Sequence, residues 1–309
     1  MPTLSPGGTW SGTAGSGGGV PSTPTRTTAQ PACRFNCRWY QVLAADNPTL
    51  RVGVKAFAKG GIQKVTFWCE GNSVDVTSRA KNPDNGTFEF YVTLNYADFP
   101  MDGLFNVYAV ATANDGTMQT QVVGPWTFRR ATAMYDRTDL TVVPSLSTSG
   151  TRFQTCKAAI DYCQTNGILH PKITLMETAT YAIASVATPN NATDGWITFV
   201  ADTGVTATFG NAAFGDMRFR RDKVMLQGPG IVVDIANVDQ WWLEDATGSS
   251  AAFKGVAITD SLGRDRLING RYRYNIWNRT TSGQNFFFEN CTFSDILYVA
   301  QNAVLTINC

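Results

Sequence analysis

Two segments of the chain superimpose. Phe253-Lys254-Gly255-Val256-Ala257-Ile258-Thr259-Asp260 matches Phe288-Glu289-Asn290-Cys291-Thr292-Phe293-Ser294-Asp295 at a spacing of 35 residues. The shared order is aromatic, any, small, apolar, any, apolar, hydroxyl, Asp. Partial copies begin near Tyr272 and Leu305, which predicts a rung of 16–19 residues, with 35 covering two. Asn290-Cys291 recurs 18 positions on as Asn308-Cys309. A solenoid produces such a register, because each rung buries its inward residues only against its neighbours. The sequence ends at Cys309, inside the repeat, where a terminal rung would need a cap. The expectation is that these residues are part of a longer polypeptide.

The rest of this region reads as short apolar strands separated by Gly, Asn and Asp: Trp196 to Val200, Val224 to Leu226, Ile231 to Val233 and Phe286 to Phe288. Ahead of them, Phe153, Cys156, Ala159, Ile160 and Cys163 recur at helical spacing. Thr151 is the expected cap of that helix and Gly167 its stop. The order Leu140-Thr141-Val142-Val143, a Ser/Gly stretch, the Phe153–Ile160 helix, Ile173-Thr174-Leu175 and Tyr181 resembles the opening of pectin-lyase-like right-handed parallel β-helices. The resemblance covers roughly residues 138–309 and implies an amphipathic helix capping the N-terminal end of the solenoid.

Between about residues 33 and 130 the period is two. Leu50 to Phe57, Gln63 to Cys69, Ser73 to Val76, Thr87 to Leu94, Phe105 to Ala111 and Thr120 to Val123 alternate or run apolar. The separators are turn formers, among them Lys59-Gly60-Gly61, Pro83-Asp84-Asn85-Gly86 and Asp102-Gly103. About seven strands in about 100 residues predict a β-sandwich. The run from Gly60 through Asp102-Gly103 to Ala113 resembles bacterial Ig-like modules, which implies a spacer or adhesive domain. The chain thus reads as mainly β: a Gly/Ser/Thr/Pro arm at 1–31, an Ig-like sandwich at 32–131, a linker at 132–150, and a capping helix with a parallel β-helix at 151–309.

The arm cannot bury enough apolar area to offset chain entropy, so it is either disordered or orders on docking, with Trp10 as its anchor. Met1 to Gln30 carries one charge, Arg26, and no apolar core, so it does not read as a secretion signal. No stretch approaches the ~18–20 apolar residues of a spanning helix, so membrane insertion is not expected. Charged residues make up only 16% of the chain, the net charge is +1, and Lys/Arg cluster no further than pairs such as Arg129-Arg130 and Arg220-Arg221. Nucleic acid is therefore excluded as the main partner, since phosphate binding needs concentrated positive charge.

Seven cysteines at 33, 37, 69, 156, 163, 291 and 309, with one histidine, His170, complete no four-ligand site. Buried free thiols are expected, and neither metal nor cofactor. For polysaccharide cleavage, the carboxylates available are Asp234, Asp239, Glu244, Asp245, Asp260, Asp265 and Asp295. Asp260 and Asp295 share a repeat position and would stack on one face if one period separates them, as an acid–base pair requires. Both also fit ordinary turn positions. Trp241, Trp242, Tyr272, Tyr274 and Trp277 are candidates for glycan contact or a subunit interface, against plain packing. On a strand, adjacent Trp241 and Trp242 point to opposite faces.

Arm, spacer and solenoid together resemble the particle-proximal part of a bacteriophage tail spike or tail fibre. That resemblance implies a virion structural protein, a homotrimer, an arm docked to other virion proteins, a host-surface glycan as further partner, and any enzyme activity lying outside these residues. A secreted pectin-lyase-like lyase or hydrolase and a bacterial surface adhesin are the alternatives.

Overall fold

The computed structural model describes residues 8–9, 31–36, 42–114, 120, 122–181, 196–210, 215–219, 224–234, 238–243, 250–259, 267–268, 271–272, 277–278, 285–294 and 303–307. Among these the chain is mainly β with a single α-helix, and it divides into two compact units, Met1–Met134 and Tyr135–Cys309.

The strands of the first unit are β1 (Gly8–Thr9), β2 (Ala32–Phe35), β3 (Val42–Ala44), β4 (Thr49–Phe57), β5 (Ile62–Cys69), β6 (Asn72–Val76), β7 (Ala80–Lys81), β8 (Phe88–Asn95), β9 (Gly103–Ala113) and β10 (Val123–Ala131). They form two sheets, ordered β1-β8-β4-β2 with β7 on β8, and β3-β10-β9-β5-β6. Pairing is antiparallel except for β1 on β8 and β3 on β10. Alternation places Leu50, Val52 and Val54 of β4 and Phe90, Val92 and Leu94 of β8 in one core with Val65 and Phe67 of β5 and Phe128 of β10. Phe99 sits edge-on to Phe105 and Phe128 at 4.9 and 5.1 Å, closing one part of that core. Gly61 and Gly86, at φ of +88° and +68°, make two of the expected turns.

The second unit contains β11 (Arg137–Val142), β12 (Arg152–Phe153), α1 (Cys156–Thr165), β13 (Pro171–Leu175), β14 (Ala179–Tyr181), β15 (Ile197–Ala201), β16 (Ala207–Phe209), β17 (Gly215–Phe219), β18 (Val224–Gln227), β19 (Ile231–Asp234), β20 (Val238–Leu243), β21 (Ser250–Lys254), β22 (Ala257–Thr259), β23 (Leu267–Ile268), β24 (Arg271–Tyr272), β25 (Trp277–Asn278), β26 (Asn285–Glu289), β27 (Thr292–Ser294) and β28 (Ala303–Ile307). Three of its sheets are parallel: β12-β11-β13-β15-β18-β21-β26-β28, β14-β16-β19-β22-β27, and β17-β20-β25. From β13 onward a strand of the first sheet is followed by one of the second and then, from β15 to β25, by one of the third, with the β23–β24 hairpin preceding β25. The stretch 132–150, expected as a linker, carries β11, which pairs with β13.

One ladder runs through the first parallel sheet. Leu140, Ile173, Phe199, Leu226, Phe253 and Phe288 are successive register partners, none more than 1% exposed. A second ladder, Tyr181, Phe209, Val233 and Ile258, is buried on the second sheet. Both rows belong to one core, together with the buried face of the helix and residues such as Val142, Leu175, Ile197 and Ile231. The register corrects the expected rung length. From Ile173 onward the first ladder steps by 26, 27, 27 and then 35 residues, so 35 is one step between neighbouring strands and not two. The long step accommodates the antiparallel hairpin β23–β24, which places the Tyr272 partial copy off the parallel sheets. The final step, from Phe288 to Thr306, is 18.

The helix also differs from expectation. It begins at Cys156 and is capped by Thr155, whose hydroxyl accepts the Ala158 N–H at 3.1 Å, not by Thr151. Thr151 and Phe153 are claimed by the sheet edge, where their carbonyls accept the Thr141 and Val143 N–H groups. Gly167, at φ +65°, ends the helix as expected. Cys156, Ala159, Ile160 and Cys163 form its buried face, packed with Phe153 and Leu140 at the β12–β11 edge of the first sheet.

Candidate functional site

The two superimposable segments lie side by side, and their second positions carry opposite charges. Lys254 and Glu289 are register partners on β21 and β26, with Lys254 Nζ 3.4 Å from Glu289 Oε1. The Glu289 side chain is 3% exposed and that of Lys254 36%, so Lys254 offers its charge outward from a buried partner. Among the described residues Glu289 Oε1 has no hydrogen-bond partner, and the Lys254 ammonium offsets part of its desolvation. The sequence comparison treated this position as unconstrained, although the 35-residue offset already aligns Lys with Glu. The pattern continues through Cys291, whose thiol lies 3.2 Å from the Phe253 carbonyl oxygen, and through the hydroxyls of Ser294 and Thr259, 3.0 Å apart. Asp260 and Asp295 follow that hydroxyl pair directly but lie outside the described residues, as do Glu244, Asp245 and Asp265.

The candidate aromatic residues fall on different elements. Trp241 and Trp242 are in β20, where their register partners on β17 are Met217 and Arg218. Trp277, in β25, is the partner of Trp242 on the other side, so Arg218, Trp242 and Trp277 occupy one register row of the third sheet. Tyr272 is instead in the hairpin, opposite Leu267. The two residues between Ile268 and Arg271 are Asn269-Gly270, the dipeptide that two-residue hairpins favour. Trp10 and Tyr274 lie outside the described residues.

The first unit holds a buried acidic group that sequence reasoning missed. Glu89 is fully buried, and its carboxylate accepts hydrogen bonds from the Asn36, Asn82 and Asn85 amides at 2.8, 2.7 and 2.9 Å. It sits on the face of β8 opposite Phe90 and Val92, over Gly53 of β4, where a Cβ would lie 2.2 Å from Glu89 Cδ. Arg51, also on that side, pairs with Asp84 at 2.8 Å. The 82–85 segment is thereby fastened to the outer face of the β4–β8 sheet. These three bonds come from amides of its own unit, which makes the carboxylate a clasp.

His170 is buried, and its Nδ1 accepts the Trp196 N–H at 3.3 Å, joining the start of β13 to the start of β15. Cys33, Cys69, Cys156, Cys163 and Cys291 are free thiols. Burial pushes Cys33, Cys69 and Cys156 up to about 12, which disfavours the nucleophilic thiolate. Among the described residues, no group of three His, Cys, Asp or Glu side chains could hold a metal, and no helix is long and apolar enough to cross a membrane. No protein-family model, no curated protein and no solved structure matches the chain.

Proposed function

We propose that this chain is a structural segment of a bacteriophage tail spike or fibre. In this reading the first unit is an Ig-like spacer, the second a right-handed parallel β-helix acting as a shaft, and the assembly a homotrimer docked to other virion proteins through the N-terminal arm around Trp10. The observation that carries it is the buried Leu140-to-Phe288 ladder, repeated strand by strand while the chain alternates between parallel sheets. Such a core grows by adding coils and resists bending, which suits a shaft that holds a host-binding end away from a particle. The Trp242–Trp277 row is the proposed site of host-glycan or subunit contact.

A second reading, a polysaccharide lyase or hydrolase, draws support from the Thr259–Ser294 register pair. Asp260 and Asp295 would be its acid and base. Light scattering on the purified chain, with viscometry on polygalacturonate, separates the two readings. The expected result is a mass near three times 33.6 kDa and unchanged viscosity. A monomer that thins the polymer overturns the first reading in favour of the second.

A further inference from the structure

We propose that the outer edge of β8 is a strand-acceptor site filled by the N-terminal arm of a second copy of this chain. The inference rests on the homo-oligomeric part of the reading above. Two short segments cover this edge. β7 pairs with Phe88 and Glu89, and β1 pairs with Val92 and Thr93 in parallel. Without β1 the Val92–Thr93 backbone would be an open edge beside a closed core, since Val92 is fully buried and Thr93 is 9% exposed. An open edge of this kind is a template for an added strand, which is held by backbone hydrogen bonds and makes little demand on side chains. Gly8-Thr9 meets that demand.

Topology argues for a neighbour's arm over the chain's own. β2 is antiparallel to β4 and β4 to β8, so β1, β8 and β2 all run in one direction. An arm seated on its own unit must leave Thr9 near the end of β8, return the length of the sheet, and cross three strand spacings to start β2 at Ala32. Parallel crossovers of this type are normally carried by a helix packed on the sheet. The 22 residues available, 10–31, are Gly, Ser, Thr and Pro for the most part, and they lack the apolar stripe such a helix needs. As a tether between copies the same residues are well suited. Extended they reach roughly 70 Å, and as a flexible coil they span about 26 Å. In a closed symmetric assembly each copy would give one arm and receive one, so no edge is left open.

The test uses two full-length variants, Thr9→Cys in a size-tagged chain and Thr93→Cys in an untagged chain, co-expressed and mildly oxidised, with the two parent chains as the cysteine background. Register partners on neighbouring strands have Cα separations that a disulfide can bridge. The expected result is a disulfide-linked band of mixed size, with the cross-linked peptide joining positions 9 and 93 confirmed by mass spectrometry. The double variant in a single chain supplies the opposite arm. If it closes only an intrachain disulfide, or if residues 9 and 93 cross-link in neither format, the proposal is overturned. An oligomeric mass with intrachain cross-links sinks arm exchange alone, whereas a monomeric mass sinks the homo-oligomeric reading as well.

Discussion

Phe253 and Phe288 are 35 residues apart in the chain and stacked in space, with ring centroids 5.1 Å apart and planes 11° from parallel. They are register partners on β21 and β26, both fully buried, so each ring is part of the other's wall. Truncating either leaves a void that flanking parallel strands, fixed by their ladders, cannot collapse to fill. Phe288→Ala is expected to cost about 3–5 kcal/mol in the unfolding of the second unit. Phe293→Ala, at a half-buried position one strand later, is expected to cost less. Urea titrations of both variants, followed by near-ultraviolet circular dichroism, check the order; equal losses would count against the ladder as the main support.

Glu89 and Gly53 are coupled through space, because the carboxylate occupies the volume a Gly53 side chain would need. Glu89→Gln turns one acceptor into a donor facing asparagine amides and is expected to cost about 2–3 kcal/mol. Gly53→Ala is expected to cost a similar amount in the parent chain and much less in a Glu89→Ala background. A double-mutant cycle reads this as a coupling of at least about 1 kcal/mol. Strict additivity would mean that the clasp does not occupy that space.

The legible parts of this fold were those in which the same residue types recur at the same offset. Phe253 to Thr259 and Phe288 to Ser294 are separated by a constant 35, so the repeat could be read directly. Ile173, Phe199 and Leu226 hold the same place in the ladder, but any large apolar residue satisfies it, and corners of differing length blur the period. Ile197, Thr198 and Phe199 are all buried, so β15 lacks the alternation that marks a half-exposed strand. The Glu89 clasp was hidden for a different reason. Its donors come from residues 36, 82 and 85, the last inside the expected turn Pro83 to Gly86, while Glu89 itself alternates with Phe88 and Phe90 as a solvent-facing residue would. Only a segment folded back over the outer face makes that position interior, and such a cover has no local signature. For Trp241 and Trp242 the sequence offered a strand only as a condition, and the pairing of Trp242 with Trp277 depends on the register of the third sheet.

Desolvated thiols make the protein sensitive to alkali. Cys33, Cys69 and Cys156 are held near 12 by desolvation, against an ordinary value of 9.0. Between about pH 9 and 12 the unfolded chain releases protons that the folded chain retains, so stability falls as pH rises. The slope is about 1.4 kcal/mol per pH unit for each thiol. Below pH 9 the three groups are protonated in both states and contribute no slope. Lysine and tyrosine titrate in the same range, so the informative quantity is the difference between the parent and Cys156→Ala. The parent's urea midpoint is expected to fall more steeply between pH 9 and 10.5; parallel curves would refute the assignment.

Gly228 marks a place where neighbouring strands' connections come too close for a side chain. A Cβ there would lie 1.9 Å from the Gly255 carbonyl oxygen, a backbone atom that cannot rotate away, and the Gly228 N–H donates to the Lys254 carbonyl at 2.7 Å. Gly228→Ala is therefore expected to separate β18 from β21 locally and to lower the melting temperature of the second unit, with the first unit's transition unchanged. Gly204→Ala is the matched control, since its φ of +79° is strained for alanine but no atom lies within 4 Å. Calorimetry that finds Gly228→Ala no more destabilising than Gly204→Ala would count against the close approach to Gly255.

The start of α1 offers a test in which two threonines exchange roles. The spacing of apolar residues favours Thr151 as the cap, whereas Thr155 accepts the Ala158 N–H and Thr151 contributes its carbonyl to β11. Removing the Thr155 hydroxyl leaves a first-turn donor without its partner, so Thr155→Ala is expected to cost about 1 kcal/mol. Thr151→Ala leaves the backbone bond to Thr141 in place and is expected to be close to neutral. Because α1 buries Cys156, Ala159, Ile160 and Cys163 against the β12–β11 edge, fraying its first turn should also admit thiol reagents to Cys156. Faster labelling of Cys156 in Thr155→Ala, and not in Thr151→Ala, is the expected outcome. The reverse order would return the cap to Thr151 and require the helix to begin a turn earlier, at the expense of the β12 pairing.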